Sequence, residues 1–171
     1  FMRNQVFDPL GMNETRSEAG GERPSNMAAS YFPKFAADPR YGPDPMRPID
    51  FSCYSGASAF LSTPSDLVRF ALAINGGTWL KPDTVKMLQT SQRLPSGAET
   101  GYGLGWDLDP ATIAGAPTVT IGHDGDILGG DVSTLITLPN GLVVAITANT
   151  SYADTHALAE KIADVFTRLR R

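Results

Sequence analysis

The chain has a single cysteine, Cys53, and only two histidines, His123 and His156. One thiol closes no internal disulfide and builds no multi-thiolate metal site, so it leaves the redox compartment open. A partly buried small residue is the plain reading of Cys53. Two histidines in such unlike settings make a poor case for zinc, and no metal or cofactor site is predicted. No run approaches the roughly 20 apolar residues of a membrane span, and no signal peptide is visible. Long basic runs are missing too. The 14 Lys and Arg are outnumbered by 18 Asp and Glu, giving a net charge of −4 and a pI near 5.1. That balance argues against a nucleic-acid partner. Only Arg168, Arg170 and Arg171 cluster, at the end of a predicted helix, where cations meet the negative end of its dipole.

What remains is globular in composition, 42% hydrophobic and 19% charged over 171 residues, enough for a real core. The chain opens Phe1-Met2-Arg3-Asn4-Gln5-Val6-Phe7, which reads as the tail of an amphipathic helix already under way, so a fragment is expected. Pro9 and Gly11 then break the helix. From Asn13 to Asp50 the sequence is rich in Pro, Gly, Ser and Asn, with Tyr31, Phe32, Phe35 and Tyr41 scattered through it. It reads as a long irregular excursion pinned by aromatics, with no strong helix or strand.

Order returns at Thr63-Pro64-Ser65-Asp66. Thr63 suits an N-cap and Pro64 the first helical position, while Asp66 completes an acidic capping box. Leu67, Phe70, Ala71 and Ile74 then form one apolar stripe, and Gly76-Gly77 ends the helix. A shorter helix is predicted from Pro82, carrying Val85 and Leu88. Tyr102-Gly103-Leu104-Gly105-Trp106 alternates as a strand does when another backbone packs closely on it. Strands are predicted at 117–121, 132–138 and 142–148, the last two joined by the turn Pro139-Asn140-Gly141. Asp154 can cap a final helix with apolar positions Leu158, Ile162, Val165, Phe166 and Leu169. The expected fold class is α+β: an antiparallel sheet with a packed C-terminal helix (residues 99–171), preceded by part of a helical and irregular subdomain (residues 1–98).

The chemistry centres on Gly122-His123-Asp124-Gly125-Asp126-Ile127-Leu128-Gly129-Gly130, between two strand runs. His123 is either exposed on a hairpin with an Asp-Gly turn, the reading that spacing alone favours, or one wall of an active site. Asp124, Asp126 and Asp131 do not match a calcium loop, because Ile127 and Leu128 fall where ligands are needed. Tyr102 and Trp106 read as core or cleft-lining aromatics, and His156 as solvated in the first turn of the last helix.

Four segments in this order resemble the C-terminal half of the serine β-lactamase-like family, which includes class C β-lactamases, D-alanyl-D-alanine peptidases and related esterases. They are residues 6–12 (Val-Phe-Asp-Pro-Leu-Gly-Met), residues 56–67 (Gly-Ala-Ser-Ala-Phe-Leu-Ser-Thr-Pro-Ser-Asp-Leu), residues 102–106 (Tyr-Gly-Leu-Gly-Trp), and Gly122-His123-Asp124-Gly125 with Gly129-Gly130 and Ala148-Asn149. The resemblance implies an incomplete β-lactamase/transpeptidase-like fold and a serine hydrolase acting through an acyl-enzyme on β-lactam, peptide or ester substrates. It maps His123-Asp124-Gly125 onto the family's Lys- or His-x-Gly motif. His123 then lines the site, the backbone N–H of Asp126 is an oxyanion donor, and Asp124 and Gly125 contact substrate. Asp124 replaces the usual Thr or Ser, which puts a hydroxyl contact to a substrate carboxylate in doubt.

The same family needs a Ser-x-x-Lys nucleophile and a Tyr-x-Asn, and neither is present. The residues three before the lysines are Tyr31, Thr78, Asp83 and Leu158, and no Tyr has Asn two positions on. In the family both lie upstream of the segment matching residues 6–12, so truncation is the expected reason. The chain alone is then expected to be inactive. It is expected to associate with an N-terminal half, or with itself, through an exposed strand at 142–147. The alternative is a non-catalytic binding or scaffolding module with the same fold. Localisation stays open, though export is favoured for relatives acting on cell-wall peptides.

Overall fold

The hairpin turn Ala114-Gly115 fixes the part of the architecture that matters most. The structure, a computed structural model, describes residues 1–17, 24–35, 38–47, 49, 54, 60–127 and 130–170. Cys53, Leu128, Gly129, Arg171 and residues 56–59 of the second family-like segment lie outside the described residues.

The chain begins with a π-helical turn, Arg3–Phe7. Short β1 (Arg16–Ser17) is followed by β2 (Tyr31–Phe35) and β3 (Asp38–Pro45), then by short β4 (Phe60–Leu61). β1 pairs with β4 and β2 with β3, both antiparallel. The predicted irregular excursion therefore contains a hairpin. Its prolines hide it from a propensity argument, but a two-stranded ribbon is all edge, and edges tolerate proline.

Next come α1 (Pro64–Asn75) and α2 (Pro82–Leu88), both with proline at the N-terminus as predicted. Thr63 accepts a hydrogen bond from the Asp66 amide, so the N-cap is real. Asp66 itself does not fold back as in a capping box. It is fully buried; Oδ2 accepts from the Glu14 amide and the Thr15 hydroxyl, and Oδ1 from Arg69. One small apolar cluster joins Val6, Phe7 and Met12 to Phe70 of α1 and to Trp79.

The C-terminal part is an antiparallel sheet of β5 (Asp107–Ile113), β6 (Ala116–Ile127), β7 (Asp131–Thr137) and β8 (Val143–Ala148), in that spatial order, followed by α3 (Thr155–Leu169). Residues 102–106, predicted as a strand, are a bent connection leading into β5. The close backbone approach inferred from their glycines does hold, since a Cβ on Gly103 would lie 2.1 Å from the Leu88 carbonyl oxygen. β5 was missed because Pro110 and Asp-rich flanks obscure its alternation. The expected α+β architecture is observed.

α1 packs on β7 and β8, where Asn75 donates to Thr137. α3 covers the other face, where Thr134 and Thr155 share a buried hydrogen bond. The main core comprises Ile113, Ile136, Leu138, Val144, Ala159 and Ala163. The sheet-facing stripe of α3 is thus Thr155, Ala159 and Ala163, with Ile162 partly buried beside it. Of the apolar positions expected to face the core, Leu158, Val165, Phe166 and Leu169 are exposed instead. Small residues let the helix sit close to the sheet, and the larger ones form an outer apolar stripe.

Candidate active-site wall

Ala114 and Gly115 both have positive φ, 53° and 79°, as a two-residue hairpin turn requires. Such a turn makes Ile113 and Ala116 a hydrogen-bonded pair, and pairing then alternates along the ribbon. Pro110 and Pro117, which have no N–H, fall at non-bonded positions, consistent with that alternation. Continued along β6, it turns the N–H and C=O groups of His123, Gly125 and Ile127 toward β7. Those of Asp124 and Asp126 turn toward β5.

β5, however, begins at Asp107, opposite Gly122, whereas β6 runs on to Ile127. The stretch from His123 to Ile127 overhangs its neighbour. Among the described residues no strand occupies that side, so the Asp126 N–H faces an open edge. The expected Asp-Gly turn does not exist, because Asp124 and Gly125 lie within the strand and pair with Thr134 and Ser133.

His123 shares a face with Leu135 and hence with α1, and it is exposed. Its Nδ1 donates to the Asp124 carbonyl oxygen at 2.6 Å, so that nitrogen carries the proton. Nε2 then faces the Tyr102 hydroxyl at 3.0 Å, with the rings edge-to-face at 5.9 Å. In the neutral ring, Nε2 accepts and Tyr102 donates. Tyr102 is thus partly exposed beside His123, and nothing in the sequence pointed to this pairing. Gly125 leaves this face bare: a Cβ there would meet only the Ser133 hydroxyl, at 2.8 Å. Gly122 answers a different need, since a Cβ on it would lie 1.9 Å from the Leu135 carbonyl oxygen.

Asp124 is not in this group. Its side chain projects to the α3 face, where it accepts from His156 Nδ1 at 2.8 Å. His156, expected to be solvated, has a side chain only 30% exposed, with Nε2 3.6 Å from Glu160. Burial pulls its pKa down. The carboxylates of Asp124, Glu160 and Asp109 outweigh that and leave it raised. Nothing in the sequence linked residues 32 positions apart. Beside this pair lies a cavity of about 350 Å³ lined by Asp124, Asp126, Ser133, Ser151, Asp154 and His156, among others. Asp131 is bound instead to Ser30, so of the three aspartates only Asp124 and Asp126 line this cavity. Among the described residues no group of three or more His, Cys, Asp or Glu is arranged to hold a metal ion, and no helix is long and apolar enough to cross a membrane.

A penicillin-binding protein of Bacillus subtilis is 28% identical over 115 residues, covering 63% of this chain and 26% of that protein. Among solved structures, a D-stereospecific amidohydrolase from Streptomyces sp. superimposes with a TM-score of 0.74 at 20% identity, covering 94% of this chain and 46% of that one. A D-amino acid amidase from Ochrobactrum anthropi gives 0.71 at 23% identity, covering 99% and 51%. An octameric penicillin-binding protein homologue from Pyrococcus abyssi gives 0.73 at 19%, covering 98% and 37%. The chain therefore spans about half the length of these structures or less, and about a quarter of the Bacillus protein. These likenesses show the fold. The family model described as beta-lactamase matches residues 1–167, nearly the whole length, and on that match the chain belongs to the beta-lactamase family.

Proposed function

We propose that this chain supplies one wall of the acyl-transfer site of a serine hydrolase that works through an acyl-enzyme on β-lactam, peptide or ester substrates. The overhang of β6 carries the reading. It aims the Asp126 N–H at open space beyond the end of β5, as a donor for a developing oxyanion must be aimed. One such donor contributes about 2.7–4 kcal/mol in the transition state. His123 and Tyr102 line the α1 face of the same edge, and Gly125 lets an acyl group approach the backbone. The carboxylate of Asp124 points away, so any substrate contact at 124 is made by its backbone.

Residues 1–171 alone hold no Ser-x-x-Lys and no Tyr-x-Asn, so by themselves they do not acylate. Completion by further polypeptide, or self-association, is supported by two features. β8 ends the sheet, with the N–H groups of Val143, Ala145 and Thr147 directed outward by the pairing alternation. On α3, Leu158, Val165, Phe166 and Leu169 are exposed.

Labelling by a fluorescent penicillin or fluorophosphonate tests the reading. The 171-residue chain stays unlabelled, and the same residues joined to a Ser-x-x-Lys half are labelled. In the joined protein Asp126→Pro removes the outward N–H without touching the β6–β7 ladder and slows acylation about 100- to 1,000-fold, while Asp126→Ala stays near the starting rate. Labelling of the chain alone, or equal rates for the two variants, refutes it.

A further inference from the structure

On the reading of β6 just proposed, its overhang must be held in place, yet β7 pairs with only one side of it. A strand end with one ladder instead of two opens at low free-energy cost. Among the described residues two side-chain hydrogen bonds tether it, one per face. His123 meets Tyr102 on the α1 face, and Asp124 meets His156 on the α3 face.

We propose that His156 is a positioning residue: its imidazolium clamps Asp124, and through it the Asp126 N–H and His123, to the start of α3, and the edge loosens when the ring loses its proton. α3 is a firm anchor, because Ala159 and Ala163 are fully buried against the sheet and Asp154 caps the helix by accepting from the Ala157 amide. Asp124 sits between the two backbone groups that matter, so fixing its side chain fixes both.

The charge state of the ring decides the strength of the clamp. Nδ1 is 2.8 Å from the Asp124 carboxylate on β6, and Nε2 is 3.6 Å from Glu160, one turn along α3. Asp109 on β5 adds its field, and Asp126 and Asp154 line the same cavity. Nδ1 alone is within hydrogen-bond distance of a carboxylate and Nε2–Glu160 is an ionic contact, so protonation strengthens both. A neutral ring keeps at best an uncharged N–H toward Asp124. Burial and the positive end of the α3 dipole oppose the cation, but the surrounding carboxylates outweigh burial and leave the pKa raised. The clamp is therefore strongest below that raised value and weakens as the pH climbs through it.

Amide NMR on the 171-residue chain reads this without any catalysis. In a His123→Gln background, which removes the other imidazole, the Asp124 and Asp126 amide signals should move with the same midpoint as the His156 ring. In His156→Asn, which keeps a neutral donor near Nδ1, that movement should vanish while the rest of the spectrum stays dispersed. Because the first titration keeps His156 intact, a variant that fails to fold does not spoil the test. Amides that ignore the His156 titration overturn the inference. In the protein joined to a Ser-x-x-Lys half, His156→Asn should also lose the alkaline fall in acylation rate. Coupled amides with no acylation at any pH would sink the proposed function and leave the clamp standing.

Discussion

Asp66 offers the sharpest test of how the N-terminal segment is held. Its side chain is about 1% exposed and accepts three hydrogen bonds, two on Oδ2 from Glu14 and Thr15 and one on Oδ1 from Arg69. Hydrogen bonds to a charged acceptor contribute about 1.5–3 kcal/mol each, but Asp66→Ala does not forfeit all three. Thr15 keeps its bond to Ser62, Arg69 is 52% exposed and turns to water, and the exposed Glu14 lets solvent reach its amide. The remaining cost is about 3 kcal/mol, a loss of about 1.5 M in the urea midpoint at a slope near 2 kcal/mol per molar. Asp66→Asn can keep its amide oxygen toward Glu14 and Thr15 and give up only Arg69, so it costs about 1 kcal/mol. Urea unfolding followed by far-ultraviolet circular dichroism measures both. An alanine variant within about 1 kcal/mol of the parent, or an asparagine variant as damaging as alanine, would refute the reasoning.

Gly122→Ala should cost about 3 kcal/mol or more, because its Cβ meets the backbone of a central strand, while Gly125→Ala meets only a rotatable serine and should cost about 1 kcal/mol; equal urea midpoints would contradict this. The raised pKa of His156 adds stability that is fully present below its unfolded value, about 6.5, and is lost as pH rises through the folded value. Urea midpoints from pH 5 to 9 should therefore fall at the alkaline end, and His156→Asn should flatten that fall. If β8 joins another chain, Ala145→Pro removes an outward N–H and should weaken association in light scattering without unfolding the sheet; a monodisperse parent monomer would count against edge pairing.

The sequence made α1 legible because Thr63 and Pro64 carry a local capping signal, and β7, β8 and α3 because turn and cap residues bound them. It misled where tertiary geometry overrode pattern. Pro110 hid a strand that tolerates it only because β5 is an edge, and the Asp124-Gly125 turn signal lost to pairing with β7. On α3 the larger apolar residues drew attention from the alanines that pack. For His123, spacing alone favours an exposed turn, and only the family resemblance favours a site wall. The Asp124–His156 pair was not visible at all, since it depends on which face of β6 meets which helix.

The two flanks of the main sheet are unlike. Pro110 sits midway along β5 with its nitrogen turned outward, so a passing strand finds no hydrogen to accept there. β8 has no such block. A sheet that welcomes a neighbour on one flank and refuses it on the other has no route to open-ended stacking: once β8 is covered, by a second copy in two-fold fashion or by a different segment, growth stops.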